Sequence, residues 1–293
     1  MSGGEFGLIS RIRRSTKNGP SVLVGIGDDT AVLRVPKNKE LLFTTDMLVE
    51  GRHFRLKDAS PYQIGRKALA VNISDIAAMG GMPTQAVIAV GLPKKSTGAF
   101  TQALYRGFRD LARLFHVELV GGDTNRSDRL VLSVALLGEV EKRRALKRSG
   151  AKVGDELFVS GPLGGSYASK KHLNFIPRVK EARWLAKHVP VHAMMDISDG
   201  LASDVYRMAE ESRVGILLEE KKIPVSRHAK NVRQALGEGE DFELLFAVPR
   251  ASARKLPKKF IHVGRVVSKA HGVKLLTAGG KVVPLRGGYD HFR

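Results

Sequence analysis

Apolar runs of strand length alternate with stretches of helical period along nearly the whole 293-residue chain, and this alternation restricts the fold to an α/β (α+β) architecture. Thr30–Val35 and Leu41–Thr45 read as short strands joined by the turn from Pro36 to Glu40. A helix follows, with Ser60 as N-cap, Pro61 at its first position and Gly80 just past its end. Gln85–Leu92 reads as a strand. Ser96 is expected to cap a second helix, in which Phe100, Leu104, Phe108 and Leu111 recur at helical spacing. Val117–Val120 and Leu130–Val140 close this half as strands. The basic, glycine-containing stretch from Lys142 to Gly154 reads as a connection, so two lobes are expected, residues 1–141 and 142–293. The second holds strands at Glu156–Ser160, Val214–Glu219, Phe242–Val248 and Ile261–Val267, helices around Arg178–His188 and from Ser198 to Ser212, and a closing hairpin.

With 43% hydrophobic and 27% charged residues, the chain has the makings of a buried core and not of a disordered segment. The absence of cysteine excludes disulfides, thiolate metal sites and a cysteine nucleophile. The N-terminus carries no apolar stretch behind a basic start, and the charge-free window Ile76–Pro93 is broken by Gly80-Gly-Met-Pro83. A cytoplasmic protein with no membrane partner is expected. The net charge of +20 raises the question of nucleic acid. Residues 250–293 hold 11 Lys and Arg against one Asp, but only Phe260, Tyr289 and Phe292 supply aromatic rings for stacking bases. The reading is a generally basic surface with no specific nucleic-acid partner.

Acidic residues are few, yet many stand beside Gly, Ser, Thr or Asn at the ends of apolar runs. Asp28 and Asp29 lie in Gly25-Ile-Gly-Asp-Asp-Thr30, and Asp46 ends Phe43-Thr-Thr-Asp46. Asp123 lies in Gly121-Gly-Asp-Thr-Asn125, Asp196 and Asp199 in Asp196-Ile-Ser-Asp-Gly200, and three acids in Gly237-Glu-Gly-Glu-Asp241. One such carboxylate is a turn former or helix cap, which suits Asp199 alone. Several converging carboxylates need neutralisation, since two charges 4 Å apart repel by about 4 kcal/mol at an effective dielectric near 20. Hard oxygen donors favour Mg²⁺ over zinc. Asp75 is the sharpest clue: Ile64, Ala68, Val71, Asp75 and Met79 share one helical face, so Asp75 sits on a buried stripe. Such a carboxylate either binds a cation or is a core residue satisfied by an arginine or a backbone amide. Gly25-Ile-Gly27 departs from the dinucleotide fingerprint at Thr30, and no P-loop occurs. The residues alone point to a Mg²⁺-dependent, phosphate-handling α/β enzyme.

Taken in order, these segments resemble the thiamine-monophosphate kinase family, within the superfamily of aminoimidazole-ribonucleotide synthetase and selenophosphate synthetase. The resemblance runs through Gly3-Gly-Glu-Phe6, Gly25-Ile-Gly-Asp-Asp29, Thr44-Thr-Asp46, Gly51-Arg-His-Phe54 and the stretch from Lys67 to Gly80. It continues through Gly121-Gly-Asp-Thr124, Arg148-Ser-Gly150, Asp196-Ile-Ser-Asp-Gly200, Gly239-Glu-Asp241 and Gly288-Tyr-Asp-His-Phe292. It implies a two-lobed aminoimidazole-ribonucleotide synthetase-like fold whose N-terminal sheets pair across a homodimer. It implies ATP-dependent phosphorylation of thiamine phosphate to thiamine diphosphate by direct in-line transfer, the last step of thiamine diphosphate biosynthesis. Asp29, Thr44, Thr45, Asp46, Asp75, Asp123, Asp196 and Asp199 would hold several Mg²⁺ ions. Tyr105, Gly122, Asp123, Arg148 and Ser198 would contact ATP, and His53 and Glu240 thiamine phosphate. No general base is called for, because the acceptor is a phosphate oxygen already ionised at neutral pH.

Each residue also has a plainer reading. His53 packs beside Phe54, Tyr105 is a helix core-edge residue, Arg148 is a solvated charge, and Trp184 is core. Two features depart from the family pattern: the segment between Gly161 and Asp196 is short, and Arg286 stands where relatives carry a tryptophan. A guanidinium does not stack well on a cationic thiazolium, so Arg286 is expected to turn to the substrate phosphate or a carboxylate while Tyr289 or another aromatic covers the rings. The competing readings are another superfamily phosphotransferase or ligase, and a basic nucleic-acid-binding protein on an enzyme scaffold.

Overall fold

The computed structural model describes residues 14–16, 19–24, 32–34 and 36–287. The chain divides into two compact units. One comprises residues up to Ile76 together with Met82–Arg143, the other Ala77–Gly81 together with the residues from Arg144 on.

In the first unit, β1 (Val22–Val24) and β2 (Val32–Leu33) pair antiparallel. The main sheet has the order β3 (Lys39–Val49), β6 (Val131–Glu141), β4 (Met82–Leu92), β5 (Glu118–Arg126). Only β4 and β5 run parallel, joined through helix α2 (Gly98–Phe115), as a parallel connection requires. Strand β6 alternates strictly, with Leu132, Val134, Leu136 and Val140 buried and their neighbours half-buried, so one face of the sheet carries the core. Helix α1 (Pro61–Ala78) buries Ile64, Leu69, Ile73 and Ile76 completely. It approaches β6 so closely that a Cβ on Gly138 would lie 2.6 Å from the Ile76 side chain. The two helices cross at glycines: a Cβ on Gly65 would lie 2.1 Å from the Leu104 carbonyl, and one on Gly107 2.0 Å from that of Tyr62.

Ser60 is the N-cap as expected, and with Gln63 it forms a capping box, Gln63 N–H donating to Ser60 Oγ at 3.3 Å and Ser60 N–H to Gln63 Oε1 at 3.1 Å. The second helix is capped by Thr97, not Ser96, because it is Thr97 Oγ1 that accepts from the N–H of Phe100. Two motifs placed at strand ends lie inside strands. Thr44-Thr-Asp46 is spanned by the eleven-residue register of β3 with β6, and Gly121-Gly-Asp123 by the parallel register of β5 with β4.

In the second unit a seven-stranded sheet has the order β13 (Val282–Pro284), β12 (Val273–Leu276), β9 (Gly215–Glu219), β11 (Ile261–Val267), β7 (Glu156–Val159), β10 (Leu244–Val248), β8 (Ala193–Asp196). It is antiparallel except between β12 and β9. Among the described residues five α-helices accompany it: α3 (Lys171–Asn174), α4 (Val179–His188), α5 (Leu201–Ser212), α6 (Val232–Gly237) and α7 (Arg250–Ala253). Leu201, Val205 and Met208 of α5 join Leu157, Val159, Met195, Leu245 and Val263 in one core. The aromatic residues Phe158, Phe246 and Phe260 form a second cluster, with Trp184 against Phe260 at 5.9 Å, which makes the lone tryptophan a packing residue.

Between β7 and α4 the chain is pinned by buried acids. Glu243 accepts from Arg178 Nε and Nη2 at 2.8 and 2.7 Å, from Lys171 Nζ at 2.8 Å and from Ser160 Oγ at 2.6 Å. Burial would raise its carboxyl, but these donors overcome that and leave it below the ordinary glutamate value. Asp241, fully buried, accepts from Gly164 N–H at 2.8 Å and faces Lys171 Nζ at 3.5 Å. Burial pushes it up from 3.8 to about 6 against those favourable contacts.

Two outcomes follow from this packing. Gly107→Ala is expected to lower the urea midpoint, by about 1–3 kcal/mol of overpacking, despite alanine's advantage of up to ~1 kcal/mol in helix propensity; a more stable variant would contradict the helix crossing. Asp241 has a folded pKa above its unfolded one, so its contribution to stability is greatest at low pH and is lost as pH rises through about 6. Asp241→Asn has no such loss. Its stability relative to the wild type is expected to rise by up to about 3 kcal/mol between pH ~4 and ~6.5 in urea titrations, and a difference independent of pH would contradict the buried ionisation.

Candidate functional site

The first unit presents its polar residues on the core side of β3. Register pairs Thr44 with Leu136 and Asp46 with Val134, both buried, whereas Thr45 pairs with Ala135 and is exposed. Pleating therefore sets the Thr45 side chain on the face opposite Thr44 and Asp46. Asp75 projects from α1, and the Thr44 hydroxyl donates to its Oδ2 at 2.6 Å. The spacing reading is met in part: Ile64, Ala68 and Val71 are buried, Asp75 is half-buried, and a hydroxyl on the neighbouring strand donates to it.

His53 follows β3 in a turn. Its Nδ1 accepts from the Val49 N–H at 3.0 Å, which leaves the proton of a neutral ring on Nε2. The turn is fastened from below by Lys67, a fully buried lysine whose Nζ donates to the His53 carbonyl at 2.8 Å. Tyr105 of α2 is buried and hydrogen-bonds the Thr124 side chain. Burial pushes its hydroxyl up, the bond to Thr124 opposes this, and the charge of Asp123 adds to it. Asp123 is exposed on β5, with Oδ1 accepting from the Thr124 N–H at 2.9 Å. Gly122 is dictated by close strand approach, since a Cβ there would lie 2.0 Å from the Ile88 carbonyl.

In the second unit, two loops run backbone against backbone. The Glu240 N–H donates to the Ser198 carbonyl at 2.7 Å, Phe242 N–H to Ile197 O at 2.8 Å and Ile197 N–H to Glu243 O at 2.8 Å. Gly239 permits this, because a Cβ there would lie 2.6 Å from the Ser198 carbonyl. Glu240 adopts a left-handed conformation, φ 65°, that non-glycine residues seldom take. The buried Ser166 hydroxyl holds it by donating to the Glu240 carbonyl at 2.6 Å. Glu238 clamps the same segment, accepting from the N–H groups of Gly165 and Tyr167 at 2.9 and 3.1 Å.

Asp196 ends β8 and is buried, while Ser198 and Asp199 follow half-buried. Asp199 does not cap α5, whose first residue is Leu201 and whose N-cap is Gly200 with no side-chain bond. Its N–H donates instead to Asp204 Oδ2 at 3.2 Å, and its Oδ2 pairs with Arg207 Nη2 at 2.6 Å. Asp204 is fully buried and its Oδ1 has no hydrogen-bond partner among the described residues. Burial, then the charges of Asp196 and Asp199, push its carboxyl up to about 8, against Arg207 and the Asp199 amide. Like Asp75, Asp204 is an acid on a helix's apolar stripe, beside Leu201, Val205 and Met208, so the same spacing signal marks it in the sequence.

Arg286 is exposed. It lies between Leu285, whose carbonyl accepts from the Tyr206 hydroxyl at 2.9 Å, and Gly287, which packs against Gly237 at the start of the Glu240 loop. Arg148 is exposed as well, but its carbonyl is tied to the Ser212 hydroxyl at 3.0 Å. That places it beside the last residue of α5, while the carbonyl of the adjacent Lys147 accepts from the Met194 N–H of β8 at 2.8 Å. Asp28, Asp29 and Tyr289 lie outside the described residues.

As they stand, no three His, Asp or Glu side chains among the described residues are gathered closely enough to hold a metal ion. The donors nevertheless suit a hard cation. Asp196, Asp199 and Asp204 interact electrostatically, and the buried, unpartnered Asp204 oxygen is the kind of group that a cation or a proton must satisfy. Thr44 and Asp75 form a comparable oxygen pair in the first unit. No helix among the described residues is long and apolar enough to cross a membrane.

Residues 27–140 match the family described as AIR synthase related protein, N-terminal domain, and residues 145–275 match its C-terminal domain. The thiamine-monophosphate kinase of Bacillus subtilis is 37% identical over 99% of both chains, and that of Escherichia coli K12 is 34% identical over 100% of this chain and 99% of its own. Among solved structures, the thiamine-monophosphate kinase from Stenotrophomonas maltophilia aligns with a TM-score of 0.81 at 33% identity, over 94% of this chain and 97% of that one. AaThiL complexed with AMPPCP and TMP aligns with a TM-score of 0.79 at 34% identity, over 99% and 97%. E. coli HypE, at 22% identity and a TM-score of 0.82, shares the fold. The chain belongs to the AIR synthase related proteins and, within them, to the thiamine-monophosphate kinase family.

Proposed function

We propose that this protein transfers the γ-phosphoryl group of ATP directly to thiamine phosphate, giving thiamine diphosphate and ADP, in the cytoplasm. The observation that carries the reading is full-length similarity to thiamine-monophosphate kinases combined with oxygen-donor clusters on the motif residues of both units. The complex of AaThiL with AMPPCP and TMP supports the choice of substrates.

In this reading Thr44, Thr45, Asp46, Asp75, Asp123, Asp196 and Asp199, with Asp29, hold Mg²⁺. Bound Mg²⁺ would neutralise the phosphate oxygens and polarise the transferring group. Thr45 would contribute through its backbone carbonyl, since its side chain lies on the other face of β3. Tyr105, Gly122, Asp123, Arg148 and Ser198 contact ATP; burial keeps the Tyr105 hydroxyl protonated and a donor at neutral pH. His53, with its proton on Nε2, donates to the substrate phosphate, and Lys67 fixes the turn that aims it. Glu240 presents a carboxylate toward the cationic thiamine from a backbone conformation that Ser166 maintains. Arg286, at the edge of that loop, offers its forked donors to phosphate. Residues 1–141 serve as the nucleotide and cation domain, and no nucleic acid enters the reaction.

We also assign a homodimer to the outer face of the first sheet. Leu41, Phe43 and Met47 of β3 are 48, 72 and 58% exposed, with Val87 of β4 at 39%. An apolar patch of this kind on a sheet face marks an interface.

The assignment is tested by incubating the protein with ATP, Mg²⁺ and thiamine phosphate and separating the products: thiamine diphosphate is expected, and its absence with every component present would overturn it. Asp75→Asn keeps the side-chain volume and is expected to fold while losing at least about 100-fold in kcat, ~2.7 kcal/mol of transition-state stabilisation. Near-normal turnover at saturating Mg²⁺ would remove Asp75 from the cation site. Light scattering is expected to show twice the mass of one chain, falling to the monomer mass in Phe43→Asp; an unchanged mass in the variant would rule out this face.

A further inference from the structure

Arg207 is the only charged partner that the described structure gives to Asp199. It emerges from the second turn of α5 with its side chain 42% exposed and brings Nη2 to 2.6 Å from Asp199 Oδ2. The same guanidinium holds Nη1 at 3.8 Å from Asp204 Oδ1, the buried oxygen that has no hydrogen-bond partner. Asp204 lies one turn back on the same helix and accepts from the Asp199 N–H, so one cation serves two carboxylates that are themselves tied together. Asp196 adds a third carboxyl group, buried at the end of β8.

Positive charge on one side of Asp199 has a consequence for any ion that is to use it. A guanidinium and a hard divalent cation compete for the same carboxylate oxygens, and the guanidinium gives up its hydrogen bonds when the ion takes them. Being on the solvent side of the cluster and half exposed, Arg207 has room to withdraw, whereas the buried Asp204 and Asp196 do not.

We infer that Arg207 is a tethered counter-cation for the Asp196–Asp199–Asp204 cluster: it stabilises the metal-free protein and competes with the divalent cation for Asp199, thereby setting how much Mg²⁺ the enzyme requires. Arg207 is a positioning residue in this role, since it acts on the ligand Asp199 and not on substrate. The inference rests on the proposed reading of Asp199 as a cation ligand.

The test uses the full-length protein without nucleotide, titrated with Mn²⁺ while the free ion is followed by electron paramagnetic resonance. Arg207→Met, which keeps the aliphatic stem and removes the charge, is expected to bind Mn²⁺ with a Kd roughly three- to fivefold lower than wild type, equivalent to about 0.6–1 kcal/mol, the scale of a half-exposed ion pair. Its melting temperature without metal is expected to fall, and the rise on adding Mg²⁺ to exceed that of the wild type. Arg207→Lys keeps a charge without the fork and is expected to lie between the two, and it serves the same test if Arg207→Met does not fold. Asp199→Asn provides the separating control. If Asp199→Asn binds Mn²⁺ as wild type does, the ligand reading fails and the role of Arg207 with it. If Asp199→Asn weakens binding while both Arg207 variants bind no tighter than wild type, the competition is overturned and the ligand reading stands.

Discussion

Carboxylates crowded into a protein interior cannot all remain bare, and much of this structure is organised by how their charge is answered. Glu243 is answered by Arg178 and Lys171 and lies below the ordinary glutamate value. Asp241, two residues away, receives less and rises to about 6. Asp204, among Asp196 and Asp199 with only a distant guanidinium, rises to about 8. The three acids differ in how far positive charge and hydrogen-bond donors offset their burial. The fully paired Glu243 fastens a loop, and the under-compensated Asp204 belongs to a place where another positive charge is wanted.

That contrast connects scaffold to chemistry. Phosphoryl transfer between two phosphorylated molecules is chiefly a problem of neutralising and aligning anions, so the protein's task is to hold oxygen donors at fixed positions. It does so by close backbone approach. Gly65 and Gly107 let the helix bearing Asp75 sit against its neighbour, Gly122 lets the strand bearing Asp123 lie beside β4, and Gly239 lets the Glu240 loop lie on the loop of Ser198 and Asp199. Lys67 beneath His53 and Ser166 beneath Glu240 repeat the device with hydrogen bonds.

Local signals in the sequence carried the α/β class, the N-cap at Ser60, the buried face of Ile64, Ala68 and Val71 that leads to Asp75, and the packing role of Trp184. Features set by partners distant in sequence were not readable. Nothing local shows that β3 continues through Asp46; its eleven-residue register with β6 does that. Thr97 and Ser96 are chemically equivalent caps, and only the path of the chain chooses between them. Asp199 has the composition of a helix cap, but Asp204, five residues on, takes its amide. The tie between Arg148 and Ser212 spans 64 residues, and the clamp from Glu238 to Gly165 spans 73. Such pairings become visible only when the sheet is assembled.

In the proposed reaction both substrates keep their phosphates except for one γ-phosphoryl group, which moves directly between them. It is tested most directly by following every phosphorus resonance in a single tube holding the enzyme, Mg²⁺, ATP and thiamine phosphate. The thiamine phosphate resonance is expected to be replaced by the two coupled resonances of thiamine diphosphate, in step with the appearance of ADP and without release of inorganic phosphate. Inorganic phosphate accumulating with ADP while thiamine phosphate persists, or release of AMP and pyrophosphate, would contradict it.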